Sequence, residues 1–156
     1  MGIGITYLRP IPVVRVRGYG THGEAAKAAW DKMLRWLDVN NYRVQACRGF
    51  GLVYKAPDTV CDAATYDACI EFHTGLRIDP DSEIGKAYVA GGPYLRLRHS
   101  GDLDALGAEL RRMRVEETAR RGIDFDSGRP IIEVYLNDFK RTGEAPKIDL
   151  CVPVRI

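Results

Sequence analysis

The chain has 156 residues, a length that fits one domain with a hydrophobic core of its own. Lysine and arginine total 23 against 21 aspartate and glutamate residues, so the formal net charge is only +2, which argues against a dedicated nucleic-acid-binding protein. No apolar run approaches the roughly 18 residues of a membrane-spanning helix and no secretory signal pattern is present, so we expect a cytoplasmic protein without a direct nucleic-acid or membrane partner.

The cysteines and histidines predict neither a metal site nor a cofactor. The four cysteines form no C-x-x-C pair and have no histidines at ligand spacing, so buried free thiols are expected. They are Cys47, Cys61, Cys69 and Cys151. The histidines are also too scattered in sequence to propose as a metal set, although a site assembled in space stays open. They are His22, His73 and His99.

The first half of the chain predicts a strand, a helix and two further strands. Residues 13–17 alternate between valine and arginine after two prolines, which is typical of a strand. Apolar residues at helical spacing predict an amphipathic helix over residues 23–39, in which Trp36 either completes the core or lines a cleft. Two more alternating segments predict strands at 50–55 and 65–72.

The second half repeats this order. A short strand is predicted at 86–89 and an alternating strand at 94–99, and a helix with a narrow apolar stripe opens near residues 100–102. Strands are then predicted at 130–138 and 147–154.

Matching residues indicate that the two halves, about 10–73 and 88–156, are an internal duplication. Segments 12–20 and 93–101 share a proline, two arginines and a closing glycine at an offset of 81, Val53-Tyr54 matches Val134-Tyr135 at the same offset, and Asp67-x-Cys69 matches Asp149-x-Cys151 at 82. A single strand-helix-strand-strand unit cannot bury its own sheet, so two units are expected to join about a pseudo-twofold axis. The prediction is one α+β domain over residues 1–156, with one antiparallel sheet, two helices on one face and a central ligand cleft.

The strand at 130–138 carries a carboxylate in its middle. Since strand side chains alternate, Ile131, Glu133 and Tyr135 share one face, and the core face takes Ile132 and its alternate neighbours. Two interpretations of Glu133 stay open from these residues alone. It is either an exposed or salt-bridged acid on an outer sheet face, or a functional carboxylate.

The duplication predicts that helices cover one face of the sheet and that a groove lies on the other. The predicted helix-facing core is Val14, Val16, Val53, Leu95, Leu97, Val134, Ile148, Leu150 and Val152. The predicted groove is Phe50, Leu52, Tyr54, Tyr94, Ile131, Glu133 and Tyr135. Tyr54 and Tyr135 are predicted symmetry mates, with Leu52 as the counterpart of Glu133. Such a groove suits a flat, apolar ligand, particularly a cationic one.

Five segments, taken in order, carry a resemblance to a known family. They are residues 30–41, Val53-Tyr54, Asp67-Ala-Cys69, residues 90–94 and Glu133-Val-Tyr-Leu-Asn137. They resemble the GyrI-like small-molecule-binding domains, which include stand-alone DNA gyrase inhibitor proteins and effector-binding domains of AraC-type and MerR-type multidrug regulators. The resemblance implies two modules with a ligand cleft between them, and the family's key acid falls on Glu133. The candidate pocket aromatics are Tyr54, Tyr94, Tyr135 and Trp36.

Three functions follow as alternatives. The first is a stand-alone binder of hydrophobic, often cationic or planar molecules, in which a desolvated carboxylate selects charge. The second is hydrolysis of cyclopropanoid DNA-alkylating compounds, with Glu133 as a base of raised pKa and Tyr54 or Tyr135 as the oxyanion donor. The third is inhibition of DNA gyrase, which the family name suggests. No helix-turn-helix is expected in the chain, so a DNA-binding regulator would be a separate partner.

Overall fold

The computed structural model describes residues 3–42, 48–54, 63–100, 105–137 and 147–156. Within these ranges the elements are β1 (Gly4–Leu8), β2 (Ile11–Thr21), α1 (His22–Val39), β3 (Gly49–Val53), β4 (Ala63–Glu71), β5 (Gly85–Val89), β6 (Gly92–Ser100), α2 (Leu106–Arg111), a π-helical segment (Arg112–Glu117), α3 (Thr118–Arg121), β7 (Asp124–Phe125), β8 (Ile131–Tyr135) and β9 (Lys147–Arg155). The predicted α+β class is confirmed, and strands β1 and β7 are additions to the predicted order. Cys47, Cys61 and Asp102 lie outside the described residues.

Helix α1 follows β2 without a loop and starts at a capping box. The Thr21 hydroxyl accepts from the Glu24 backbone N–H at 3.4 Å, and the Glu24 carboxylate accepts from the Thr21 N–H at 3.0 Å. The helix can lie close to β2 because Gly18 has no side chain: a Cβ there would be 2.1 Å from the Ala25 carbonyl oxygen. These two features place His22, the first residue of α1, directly above the sheet.

The second helical region runs over residues 106–121, with π-helical turns between α2 and α3. It buries an apolar stripe that includes Leu106, Leu110 and Met113, and it ends at Gly122, whose left-handed φ of 66° suits glycine. Of the helices within the described ranges, none combines the length and the apolar character that a bilayer crossing demands.

The strands of both modules form one antiparallel sheet in the order β1-β6-β9-β8-β3-β4-β2-β5, with β7 beside β9. The modules join at the centre, where β3 pairs with β8 and Gly51 lies opposite Glu133. Each module also carries a matching ion pair across its strands. Arg17 binds Asp67 at 2.8 Å in the first, and Arg98 binds Asp149 at 3.0 Å in the second.

The central pairing corrects the predicted symmetry. Glu133 follows Gly51 by 82 residues, the same offset that relates Asp67 to Asp149. The counterpart of Glu133 is therefore Gly51 and not Leu52, and the predicted pairing of Tyr54 with Tyr135 is wrong. The offset of 81 holds for β2 and β6 but not for β3 and β8. A one-residue slip in a strand moves every side chain to the opposite face.

Two hydrophobic clusters lie on opposite faces of the sheet. The cluster under the helices includes Val14, Val16, Trp30, Val53, Tyr66, Leu95, Ile131, Tyr135, Ile148 and Leu150. The opposite cluster includes Val13, Phe50, Leu52, Cys69, Val89, Tyr94, Ile132, Val134 and Cys151. The predicted groove set is thus divided between the faces. Ile131, Glu133 and Tyr135 face the helices, whereas Phe50, Leu52 and Tyr94 do not, and Val134 also changes face.

The sheet curls, which encloses the second cluster. In a flat sheet of this order β1 and β5 would lie about 33 Å apart, seven strand spacings. Instead Leu8 of β1 and Val89 of β5 pack in the same cluster, and a Cβ on Gly91 would lie 2.8 Å from Pro10. Phe50, Leu52 and Tyr94 are therefore interior residues rather than the lining of an open groove.

Candidate functional site

The Glu133 carboxylate is buried and has three polar partners. Its side chain is 2% exposed. Oε1 accepts hydrogen bonds from the hydroxyls of Tyr66 and Tyr135, each at 3.0 Å. Oε2 lies 3.1 Å from Nε2 of His22. Because an unpaired buried carboxylate is costly, these contacts are what permit the acid to remain ionised inside the fold.

Aromatic side chains surround this carboxylate. Trp30 donates its indole N–H to the Tyr66 hydroxyl at 3.0 Å, and its ring meets the Tyr135 ring edge-on, with centroids 5.3 Å apart. The two tyrosine hydroxyls also contact each other, so their two protons are shared among three oxygen–oxygen contacts. We call Glu133, His22, Trp30, Tyr66 and Tyr135 the Glu133 cluster. It joins α1, β4 and β8, so both modules build it.

Glycines in β3 make room for the Glu133 cluster. A Cβ on Gly51 would lie 2.0 Å from the Tyr66 hydroxyl and 2.9 Å from Oε1 of Glu133. A Cβ on Gly49 would lie 3.3 Å from the Trp30 ring. The strand opposite Glu133 therefore presents bare backbone, over which the large side chains lie.

Electrostatics hold the cluster in one protonation pattern. Burial alone would raise the pKa of Glu133, but the hydrogen bond and charge of His22, with the two tyrosine hydroxyls, hold that pKa below its usual value. Burial likewise opposes the charge on His22, yet Glu133 raises the His22 pKa above its usual value. Burial and the Glu133 charge raise the pKa of Tyr66 and Tyr135 well above the usual range, so both remain neutral donors. The expected raised pKa of the carboxylate is therefore wrong in direction.

A cavity of about 310 Å³ lies where Val53 of β3 pairs with Ile131 of β8. It is lined by Val53, Tyr54, Arg114, Phe125, Ser127, Arg129 and Ile131. Ile131 precedes Glu133 by two residues in β8, which separates their Cα atoms by about 7 Å. Arg129 is held by Asp126 at 2.8 Å and by backbone carbonyls, including that of Val154 at 2.7 Å. The Arg114 guanidinium lies 5.8 Å from the Phe125 ring centroid.

The remaining predicted site residues lie elsewhere. Trp36 is 14 residues along α1 from His22, a rise of about 21 Å, and it packs on Tyr42. The Tyr94 hydroxyl donates to the Ala90 carbonyl on the enclosed face. Tyr54 is 41% exposed, lies under the Arg17 guanidinium and reaches the cavity wall. The structure thus brings Glu133, Tyr135 and Ile131 together, and adds Tyr54 at the cavity's edge.

Sequence reasoning missed His22, Trp30, Tyr66 and Gly51 as members of the site. Of these four residues the sequence singles out only His22, and only as a possible metal ligand. The offset of 82 was a usable signal, because it makes Gly51 the counterpart of Glu133. The strand pairing of the structure then places both on the face that carries Tyr66.

Residues 1–155 match the family model of the GyrI-like small molecule binding domain, and the chain belongs to this family. The resemblance drawn from the five segments is confirmed, and the chain is a small-molecule-binding domain by family. No curated protein sequence matches it significantly.

Solved structures share the fold at low sequence identity. The EcmrR C-terminal domain has a TM-score of 0.71 and 11% identity, covering 99% of this chain and 97% of that one. A hydrolase from Listeria innocua has a TM-score of 0.64 and 15% identity, covering 98% and 91%. SAV2435, solved bound to tetraphenylphosphonium, has a TM-score of 0.58 and 12% identity, covering 98% and 94%.

Proposed function

We propose that the chain binds small molecules that combine an apolar or planar body with a cationic group, in a protective or sensing role. The observation that carries this proposal is a buried carboxylate surrounded by aromatic side chains, two residues along β8 from Ile131, which lies in the wall of a cavity. The tetraphenylphosphonium bound to SAV2435 is a ligand of this chemical kind.

In this proposal the cavity binds the apolar body of the ligand and the carboxylate binds its cationic group. A volume of about 310 Å³ lies at the lower end of the range for small-molecule sites, and Tyr54, Phe125 and Ile131 offer apolar and aromatic surface. The cavity wall also contains Arg114 and Arg129, although Asp126 offsets the charge of Arg129. A cationic group is therefore expected to point toward Glu133 and away from the arginines.

The expected result of Glu133→Gln is a loss of charge selection. The amide keeps the size of the side chain but removes its charge, so affinity for tetraphenylphosphonium should fall about tenfold or more, as for the loss of one charge-assisted contact. Affinity for neutral triphenylphosphine oxide should stay the same. Titration calorimetry on both variants measures this, with Glu83→Gln as a control because Glu83 is an exposed acid paired with Lys32. Equal affinity for the cation in wild type and Glu133→Gln would show that the carboxylate is not the selector.

Hydrolysis is the second candidate, because the Glu133 cluster gathers a carboxylate, an imidazole and two hydroxyls. The lowered pKa of Glu133 makes it a weaker base, which favours binding without turnover. Hydrolysis predicts product from a cyclopropanoid substrate with wild type and none with Glu133→Gln, whereas binding alone predicts intact substrate from both. Inhibition of DNA gyrase stays a prediction from the resemblance.

A further inference from the structure

The two oxygens of the Glu133 carboxylate are held in different ways. Oε1 accepts from the hydroxyls of Tyr66 in β4 and Tyr135 in β8, and both tyrosine side chains pack in the cluster under the helices. Oε2 is held by His22, which opens α1 and whose side chain is 14% exposed. A turn of the imidazole about its own side-chain bonds would uncover Oε2 without moving a strand.

We propose that His22 is the internal cation that a cationic ligand replaces at Glu133, and that the ligand's binding releases the histidine proton. This inference rests on the proposed function. Before binding, the charges are carboxylate and imidazolium. After binding, they are carboxylate and ligand cation, with a neutral imidazole and one proton in the solvent.

The charged and titratable groups around His22 explain why it loses its proton when the ligand binds. Glu133 faces His22 from β8. Tyr66 faces it from β4, and the ring centroids of His22 and Tyr66 are 6.0 Å apart. β2 also packs against α1, but Arg15 and Arg17 of that strand bind Asp67 on the opposite sheet face. Within α1 itself, Glu24 is engaged by Thr21.

The charge on His22 therefore depends on Glu133. Burial disfavours the imidazolium, and so does the partial positive charge at the start of a helix. Glu133 is the group that raises the His22 pKa above its usual value in spite of burial. Once a ligand cation neutralises Glu133, the carboxylate no longer stabilises the imidazolium, and the His22 pKa falls. The ligand cation and the protonated His22 therefore compete for the same carboxylate.

Competition of this kind makes cation affinity depend on pH. Between the His22 pKa of the ligand-bound protein and the higher His22 pKa of the free protein, one proton is released per cation bound. In that range the dissociation constant for tetraphenylphosphonium should fall by up to about tenfold for each unit rise in pH. Above the His22 pKa of the free protein the affinity should level off. Glu133 stays ionised throughout because its own pKa is lowered. Triphenylphosphine oxide, which is neutral, should bind with a flat pH profile.

The test is titration calorimetry with tetraphenylphosphonium between about pH 5.5 and 8.5, a window around the ordinary histidine pKa of about 6.5. Wild type should show this slope with tetraphenylphosphonium and a flat profile with triphenylphosphine oxide. A flat wild-type profile with measurable tetraphenylphosphonium binding overturns the inference and leaves the proposed function standing. Absence of tetraphenylphosphonium binding by wild type at every pH overturns both.

A second measurement tests whether the released proton comes from His22. The ring protons of His22 in wild type can be followed by NMR across the same pH range, with and without saturating tetraphenylphosphonium. The inference expects the pKa of His22 to be lower in the saturated protein. An unchanged pKa in the saturated protein would refute it.

Discussion

Replacing Gly51 with alanine is expected to destabilise the folded protein by about 3 kcal/mol, combining overpacking with the loss of buried hydrogen bonds. The added Cβ would lie 2.0 Å from the Tyr66 hydroxyl, which is held by Trp30, Glu133 and Tyr135. The hydroxyl cannot retreat, because Tyr66 is fully buried. Thermal unfolding should shift down by roughly 6–12 °C for a chain of this size.

Gly85→Ala is the matched control for this substitution. Gly85 also lies in a strand, β5, but a Cβ there meets no atom within 4 Å. Its effect should stay within about 0.5 kcal/mol, as for most surface substitutions. Equal stability of the two variants would mean that Tyr66 does not lie over Gly51 as described.

Replacing Glu133 with leucine should cost about 3 kcal/mol, because each buried polar group left without its partner costs about 1–3 kcal/mol. Leucine resembles glutamate in volume but accepts no hydrogen bonds, so the hydroxyls of Tyr66 and Tyr135 lose their acceptor. Glu133→Gln should cost clearly less, because its amide oxygen can accept from both hydroxyls and its NH₂ can donate to a neutral His22 imidazole.

Urea unfolding near neutral pH measures this ranking of wild type, glutamine and leucine. Glu83→Gln again serves as the control, and it should unfold like wild type because surface pairs contribute little. A leucine variant as stable as the glutamine variant would indicate that the hydrogen bonds to Glu133 are not formed in solution.

Much of the site's chemistry was predictable because it follows from alternation along a strand. Ile131, Glu133 and Tyr135 were predicted to share a face, and they do. The acid was singled out because a lone carboxylate between apolar neighbours is unusual on a sheet. The structure overturns the first of the two interpretations left open, an acid on an outer sheet face, because Glu133 is buried and its partners are a histidine and two tyrosines. The functional interpretation stays a prediction.

The face that carries Glu133 was predicted wrongly, and the reason is the change of offset between the repeats. Residues 12–17 match 93–98 at 81, and extending that offset to β3 and β8 places Val53 with Val134. The structure places Val53 with the helices and Val134 with the enclosed cluster. One extra residue before β8 is enough to produce this, because side-chain direction alternates with every residue.

By itself the sequence determined the α+β class, the order of the helices and of most strands, the duplication and the identity of the central acid, because periodicity and repeats are local properties of the chain. Only the tertiary structure decided which face the acid occupies, that Gly51 lies opposite it, and that His22, 111 residues away in sequence, is its counterion. Those contacts depend on strand register and on the packing of α1 against the sheet, which bring together residues whose spacing in the chain carries no periodic signal.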